Sequence, residues 1–169
     1  MEDSIVNKVA SSGLMTIDLE EFYPKGERVL VDIKPWLFQE LLLKEKDFRE
    51  YIKQEDWSKY QDKLVAVTCS SDAIVPTWAY MLVALQLQPY ASRVVFGNLD
   101  TLETVLFEES LKSIRFEDYQ DKRVVIKGCS KLPVPVNAYV HLTSGLKPYV
   151  KSMMYGEPCS TVPLYKAPK

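Results

Sequence analysis

Residues 60–97 recur at 119–156 without a gap. Fourteen of the 38 aligned positions are identical. They include Tyr60-Gln61-Asp62-Lys63 against Tyr119-Gln120-Asp121-Lys122, and the pairs Val75/Val134, Pro76/Pro135, Ala79/Ala138, Tyr80/Tyr139, Pro89/Pro148, Tyr90/Tyr149 and Gly97/Gly156. Turn chemistry alone calls for glycine and proline at such places, but not for tyrosines or a glutamine. The pattern therefore predicts one supersecondary unit written twice.

Each copy can be parsed. Leu64-Val65-Ala66-Val67-Thr68 and Arg123-Val124-Val125-Ile126-Lys127 are short β-branched runs and read as strands. Pro76 and Pro135 suit the first turn of helices over 76–88 and 135–147, where a missing N–H costs nothing. Pro89 and Pro148 close those helices. Short apolar runs at 93–96 and 152–155 follow. The order strand, helix, strand favours parallel pairing through a right-handed crossover.

The first 59 residues read differently: a helix over 4–11, strands over 13–19 and 28–33, and a helix that starts at 36–43 and continues over 47–52. A further amphipathic helix is predicted over 101–113, with Leu102, Val105, Leu106 and Leu111 on or near one face. The tail from 157 to 169 holds three prolines and reads as an irregular segment or edge strand. The expected fold is a single α/β domain over 1–169. It consists of an N-terminal αβ extension (1–59), two related strand–helix–strand units (60–97 and 119–156), a connecting helix within 98–118, and the tail.

Twenty-one basic against 23 acidic residues leave a net charge of −2. No cationic surplus exists to neutralise phosphates, so nucleic-acid binding is not expected. No apolar run approaches the roughly 18 residues of a membrane helix. The start, Met1-Glu2-Asp3-Ser4, is acidic where a signal peptide is basic. Three cysteines, an odd number, suit a compartment where thiols stay reduced. These features point to a cytoplasmic protein with no membrane contact. The six glycines fit no phosphate loop. His141 is the single histidine, which excludes mechanisms that need two. Trp36, Trp57 and Trp78 read as core or interface anchors, and 44–50 as a solvated helix face.

The cysteines carry the chemistry. Cys69, Cys129 and Cys159 are each followed by serine and then by Val75-Pro76, Val134-Pro135 or Val162-Pro163. Ligands of α/β sheets bind beyond the carboxyl ends of strands. Cys69 and Cys129 fall there, on two strands expected in one sheet, each ahead of a helix N-terminus that favours a thiolate. Thiolates hold zinc and iron–sulfur clusters. The candidate metal ligands are Cys69, Cys129 and Cys159, with Asp72 in the fourth position and the tail folded back to bring in Cys159. Against this, no Cys-x-x-Cys pair is present, and free cysteine also packs as a small hydrophobe. One alternative is a non-catalytic interaction module with a protein partner and buried cysteines. Another is a thiol enzyme with Cys69 as nucleophile beside Asp72, although no base lies nearby in the sequence.

The blocks Cys69-Ser70-Ser71-Asp72-Ala73-Ile74-Val75-Pro76-Thr77-Trp78-Ala79-Tyr80, Lys127-Gly128-Cys129-Ser130 and Gly156-Glu157-Pro158-Cys159-Ser160-Thr161-Val162-Pro163-Leu164-Tyr165-Lys166 resemble a bacterial family catalogued as domain of unknown function 2480. The resemblance extends to residues 42–49 and 56–58 and so covers nearly the whole chain. It implies no catalytic role. It does imply a link with iron–sulfur assembly, whose genes neighbour those of its members, and so adds to the metal reading.

Overall fold

A computed structural model of the chain describes residues 13–128, 131–157 and 160–169. The helix expected over 4–11 lies outside the described residues. The elements in chain order are β1 (Leu14–Ile17), a 3-10 turn (Leu19–Phe22), β2 (Arg28–Asp32), a 3-10 turn (Lys34–Trp36), α1 (Glu45–Gln54), a 3-10 turn (Trp57–Tyr60), β3 (Leu64–Thr68), α2 (Thr77–Leu87), β4 (Arg93–Phe96), α3 (Leu99–Leu111), a 3-10 turn (Phe116–Tyr119), β5 (Arg123–Ile126), α4 (Val136–Leu146), β6 (Ser152–Glu157) and β7 (Ser160–Lys166). The described residues divide into two compact units. The inserted unit is Lys25–Val105. The split unit combines the described residues of Met1–Pro24 and Leu106–Lys169.

The inserted unit has a parallel three-stranded sheet in the order β2-β3-β4. Its central strand is buried from Leu64 to Val67. A continuous β-branched run suits a strand covered on both faces. One core gathers Val31, Ile33, Phe48, Ile52, Val65, Val67, Ala79, Val83 and Leu87. In α1, only Phe48 and Ile52 are buried, one turn apart on one face.

The helix expected to start within 36–43 does not form there. Lys34–Trp36 is a 3-10 turn, and an isolated bridge joins Phe38 to Leu42. Gln39 and Glu40 have φ of 50° and 58°. Such left-handed residues cannot continue a right-handed helix, so α1 begins only at Glu45.

The split unit has a four-stranded sheet in the order β1-β5-β6-β7. β1, β5 and β6 run parallel, and β7 runs antiparallel to β6 along its outer edge. The tail thus supplies an edge strand. Between Met153 and Met154 the β6–β7 register shifts, and Pro163 sits opposite Met154. Proline has no N–H for a ladder and is confined to edges and bulges. The core gathers Ile17, Leu19, Phe107, Leu111, Val124, Ile126, Leu142 and Leu146 with their neighbours.

An offset of 59 residues relates the two units element by element. Trp57–Tyr60 answers Phe116–Tyr119, Thr77–Leu87 answers Val136–Leu146, and β3 and β4 start 59 residues before β5 and β6. Asp62 and Asp121 have φ of 60° and 59°, and each donates its N–H, at 2.9 Å, to the carbonyl of Tyr90 or Tyr149. The offset reaches further upstream than the sequence comparison did, since Phe48 and Ile52 are buried as Phe107 and Leu111 are. The outer parallel strands match as well, at an offset of 14. Val31 pairs with Val67 and Ile17 with Ile126.

Two expectations need correction. Pro76 and Pro135 are N-caps in extended conformation (φ −60° and −68°), so each helix begins one residue later than expected. The cysteine-bearing strands β3 and β5 belong to two sheets, not one. Each central strand is flanked on both edges within its own sheet, so its backbone groups are satisfied there.

Candidate functional site

In each unit the carboxyl ends of three parallel strands converge, the place where α/β sheets bind ligands. In the inserted unit these are Asp32, Thr68 and Phe96, with Asp32 paired to Thr68 and Val67 to Phe96. The chain leaves β3 through Cys69, Ser70 and Ser71 and enters α2 after Pro76. Asp32 ties this loop down. Its carboxylate accepts the Ser70 N–H at 3.0 Å, the Ser70 hydroxyl at 2.5 Å and the Lys34 N–H at 3.0 Å. Burial opposes ionisation of Asp32, but the hydrogen bonds from Ser70 and Lys34 and the Lys34 charge outweigh it, and its pKa lies below the usual carboxylate value.

The Cys69 thiol is half-buried against the core and lies 3.2 Å from the Ser71 hydroxyl. Behind it stands Tyr80, whose ring meets Phe96 edge-on at 4.8 Å. Burial, together with negative charge on Cys69 and Asp32, raises the Tyr80 pKa. Asp72, three residues after Cys69, is exposed.

The split unit repeats the plan with different partners. Asp18, one residue past the Ile17–Ile126 pair, accepts the Lys127 ammonium at 2.7 Å and the Glu20 N–H at 2.9 Å. Burial opposes its ionisation, but the Lys127 hydrogen bond, the Glu20 amide and the Lys127 charge hold its pKa low. Here Glu20 tethers the loop after the central strand. Its carboxylate accepts the N–H groups of Lys131 and Leu132. Tyr139 meets Tyr155 edge-on at 5.9 Å, as Tyr80 meets Phe96. The Tyr155 hydroxyl donates to the Gly128 carbonyl at 3.2 Å. A Cβ on Gly128 would lie 3.2 Å from the Cα of Gly156, so the ends of β5 and β6 approach as closely as backbones can.

Cys69 and Asp72 are therefore placed at a strand end, while Cys129 and Cys159 lie outside the described residues. Among the described residues, no three His, Cys, Asp or Glu side chains gather as a metal set. His141 sits on α4 with its ring 6.5 Å from that of Phe116.

Sequence reasoning missed Asp18, Asp32 and Glu20. A signal was available, because Ile17-Asp18-Leu19 and Val31-Asp32-Ile33 repeat an acid between apolar residues at the end of a strand. The family model described as protein of unknown function (DUF2480) matches residues 3–167, and the chain belongs to that family. No curated protein and no solved structure matches it.

Proposed function

We propose that this member of the DUF2480 family is a small metal-binding protein that offers thiolates at the carboxyl ends of its parallel strands. The supporting observation is the tethering of the Cys-Ser loops. Asp32 holds Ser70, next to Cys69, and Glu20 holds Lys131 and Leu132, directly after Cys129-Ser130. A loop fixed in advance loses less conformational freedom when a ligand arrives. Asp32 already accepts three donors, so it acts as a positioning residue and not as a ligand.

In this reading Cys129 and Cys159 are the ligands of the split unit, and Cys69 with Asp72 those of the inserted unit. The close approach of Gly128 to Gly156 supports the first pair. Thiolate ligands select zinc or an iron–sulfur cluster. Two protein ligands leave further positions open on a tetrahedral metal, which suits an ion handed on to a protein partner. The net charge of −2 argues against a nucleic-acid partner. The compartment we assign is the cytoplasm, where thiols stay reduced.

Alkylation rates test the reading. With iodoacetamide and peptide-resolved mass spectrometry on the full chain, Zn²⁺ should slow modification of Cys129 and Cys159 together, and EDTA should restore it. Equal rates for every cysteine with and without Zn²⁺ would sink the proposal.

A further inference from the structure

The outer edge of the sheet is treated differently in the two units. In the split unit β6 is covered by β7, whose Val162, Leu164 and Tyr165 are apolar. Leu164 and Tyr165 line a cavity of about 350 Å³ together with Thr143, Ser144 and Lys147 of α4. In the inserted unit the corresponding edge belongs to β4, the last strand of its sheet. The chain leaves β4 through Gly97 and Asn98 straight into α3, so no strand returns along it.

The helix beside the open edge is the more apolar of the two. Ala84, Leu85 and Gln88 of α2 stand where α4 has Thr143, Ser144 and Lys147. Met81 is 61% and Leu85 66% exposed, and Phe96 at the end of β4 is 64% exposed. A groove of about 560 Å³ runs between Met81, Ala84 and Leu85 on the helix and Arg93 and Val94 on the strand. A second hollow of about 450 Å³ continues it to Tyr80 and Phe96. Thus the helix face beside a covered edge is polar, and the face beside an uncovered edge is apolar. A soluble helix that is apolar all round needs a partner on each side.

We infer that this groove is the interface with a second copy of the chain, the two β4 edges pairing antiparallel across a two-fold axis and the α2 faces closing over them. The occupant of the matching edge in the split unit is a short, apolar, antiparallel strand. β4, reading Arg93-Val94-Val95-Phe96, is such a strand with an edge of its own to offer. The backbone is set up for it. Gly97 donates its N–H to Val67 at 2.9 Å. By the two-residue alternation of a strand, Val95 also faces β3, and the N–H groups of Val94 and Phe96 face the open edge. Charge selects the direction. Parallel pairing would set Arg93 against Arg93, whereas antiparallel pairing sets Arg93 against the Phe96 ring of the other copy, a favourable cation–π contact. A two-fold also makes the interface self-complementary, so Met81 and Leu85 meet their own counterparts and both are buried. This inference does not depend on metal binding.

Sedimentation equilibrium of the full chain, with EDTA present, is the test. The expected result is a dimer that becomes monomeric on Met81→Glu with Leu85→Glu. Both side chains are exposed, so circular dichroism and melting should change little. Val94→Pro is the second variant. It removes an N–H that faces the open edge, leaves the β3–β4 ladder intact, and should also give monomers. A wild-type monomer at 100 µM, or a dimer that survives these variants, would overturn the inference. So would a wild-type monomer that binds only peptides of other proteins at this groove.

Discussion

Asp32 and Ser70 are 38 residues apart in sequence, yet Ser70 donates both its amide and its hydroxyl to the Asp32 carboxylate, at 3.0 and 2.5 Å. The contact joins the end of an outer strand to the loop that carries Cys69. A thiol is presented at a strand end because a neighbouring carboxylate holds the next residue.

Ser70→Ala should cost about 1 kcal/mol in urea unfolding, because Ser70 is exposed and its amide bond to Asp32 remains. Asp32→Asn should alter the pH profile. The folded pKa of Asp32 is lowered, so its stabilisation is complete above the unfolded carboxylate pKa of about 4 and disappears as pH falls through the folded value. The stability gap between wild type and variant should be full at pH 6 and close at low pH. A gap that widens on acidification would contradict the assignment.

Lys127→Ala should raise the Asp18 pKa, since Lys127 supplies both its strongest hydrogen bond and its counter-charge. Carboxyl NMR titration reads this directly. An unchanged Asp18 midpoint would show that the 2.7 Å pair does not hold the charge in solution.

Gly156→Ala should destabilise more than Gly128→Ala. Gly156 has φ of +126°, and an added Cβ would lie 2.5 Å from the Ser160 carbonyl oxygen. Backbone strain of this kind costs about 1–3 kcal/mol. At Gly128 the nearest atom is the Tyr155 ring at 3.0 Å, a side chain that can shift. Thermal melts of the two variants should rank them in that order.

Phe48→Ala should cost about 3–5 kcal/mol, as for a large side chain fully enclosed in a core. Tyr51→Ala, three residues on in the same helix and 45% exposed, should cost well under half of that. Similar urea midpoints for the two would mean that the core around α1 is not packed as described.

The mixed α/β class was legible, because β-branched runs and paired prolines carry local signals that survive into the fold. The strand pairings were less so. Nothing local tells Leu14–Ile17 to pair with Arg123–Ile126, more than 100 residues away, instead of joining β2. The late start of α1 was hidden for a related reason, since Gln39 and Glu40 adopt left-handed φ without being glycines. At the site, Cys69 was found by type and context. Asp32, Asp18 and Glu20 were not, because their role depends on strands that only the tertiary fold sets side by side.

Metal content per chain tests the central claim most directly. The full chain, purified without added metal or chelator, should carry zinc or iron in stoichiometric amounts by inductively coupled plasma mass spectrometry, and Cys129→Ser with Cys159→Ser should lose most of it while remaining folded. A metal-free wild-type chain that stays metal-free after reconstitution, or a variant lacking all three cysteines that keeps its metal, would contradict the account.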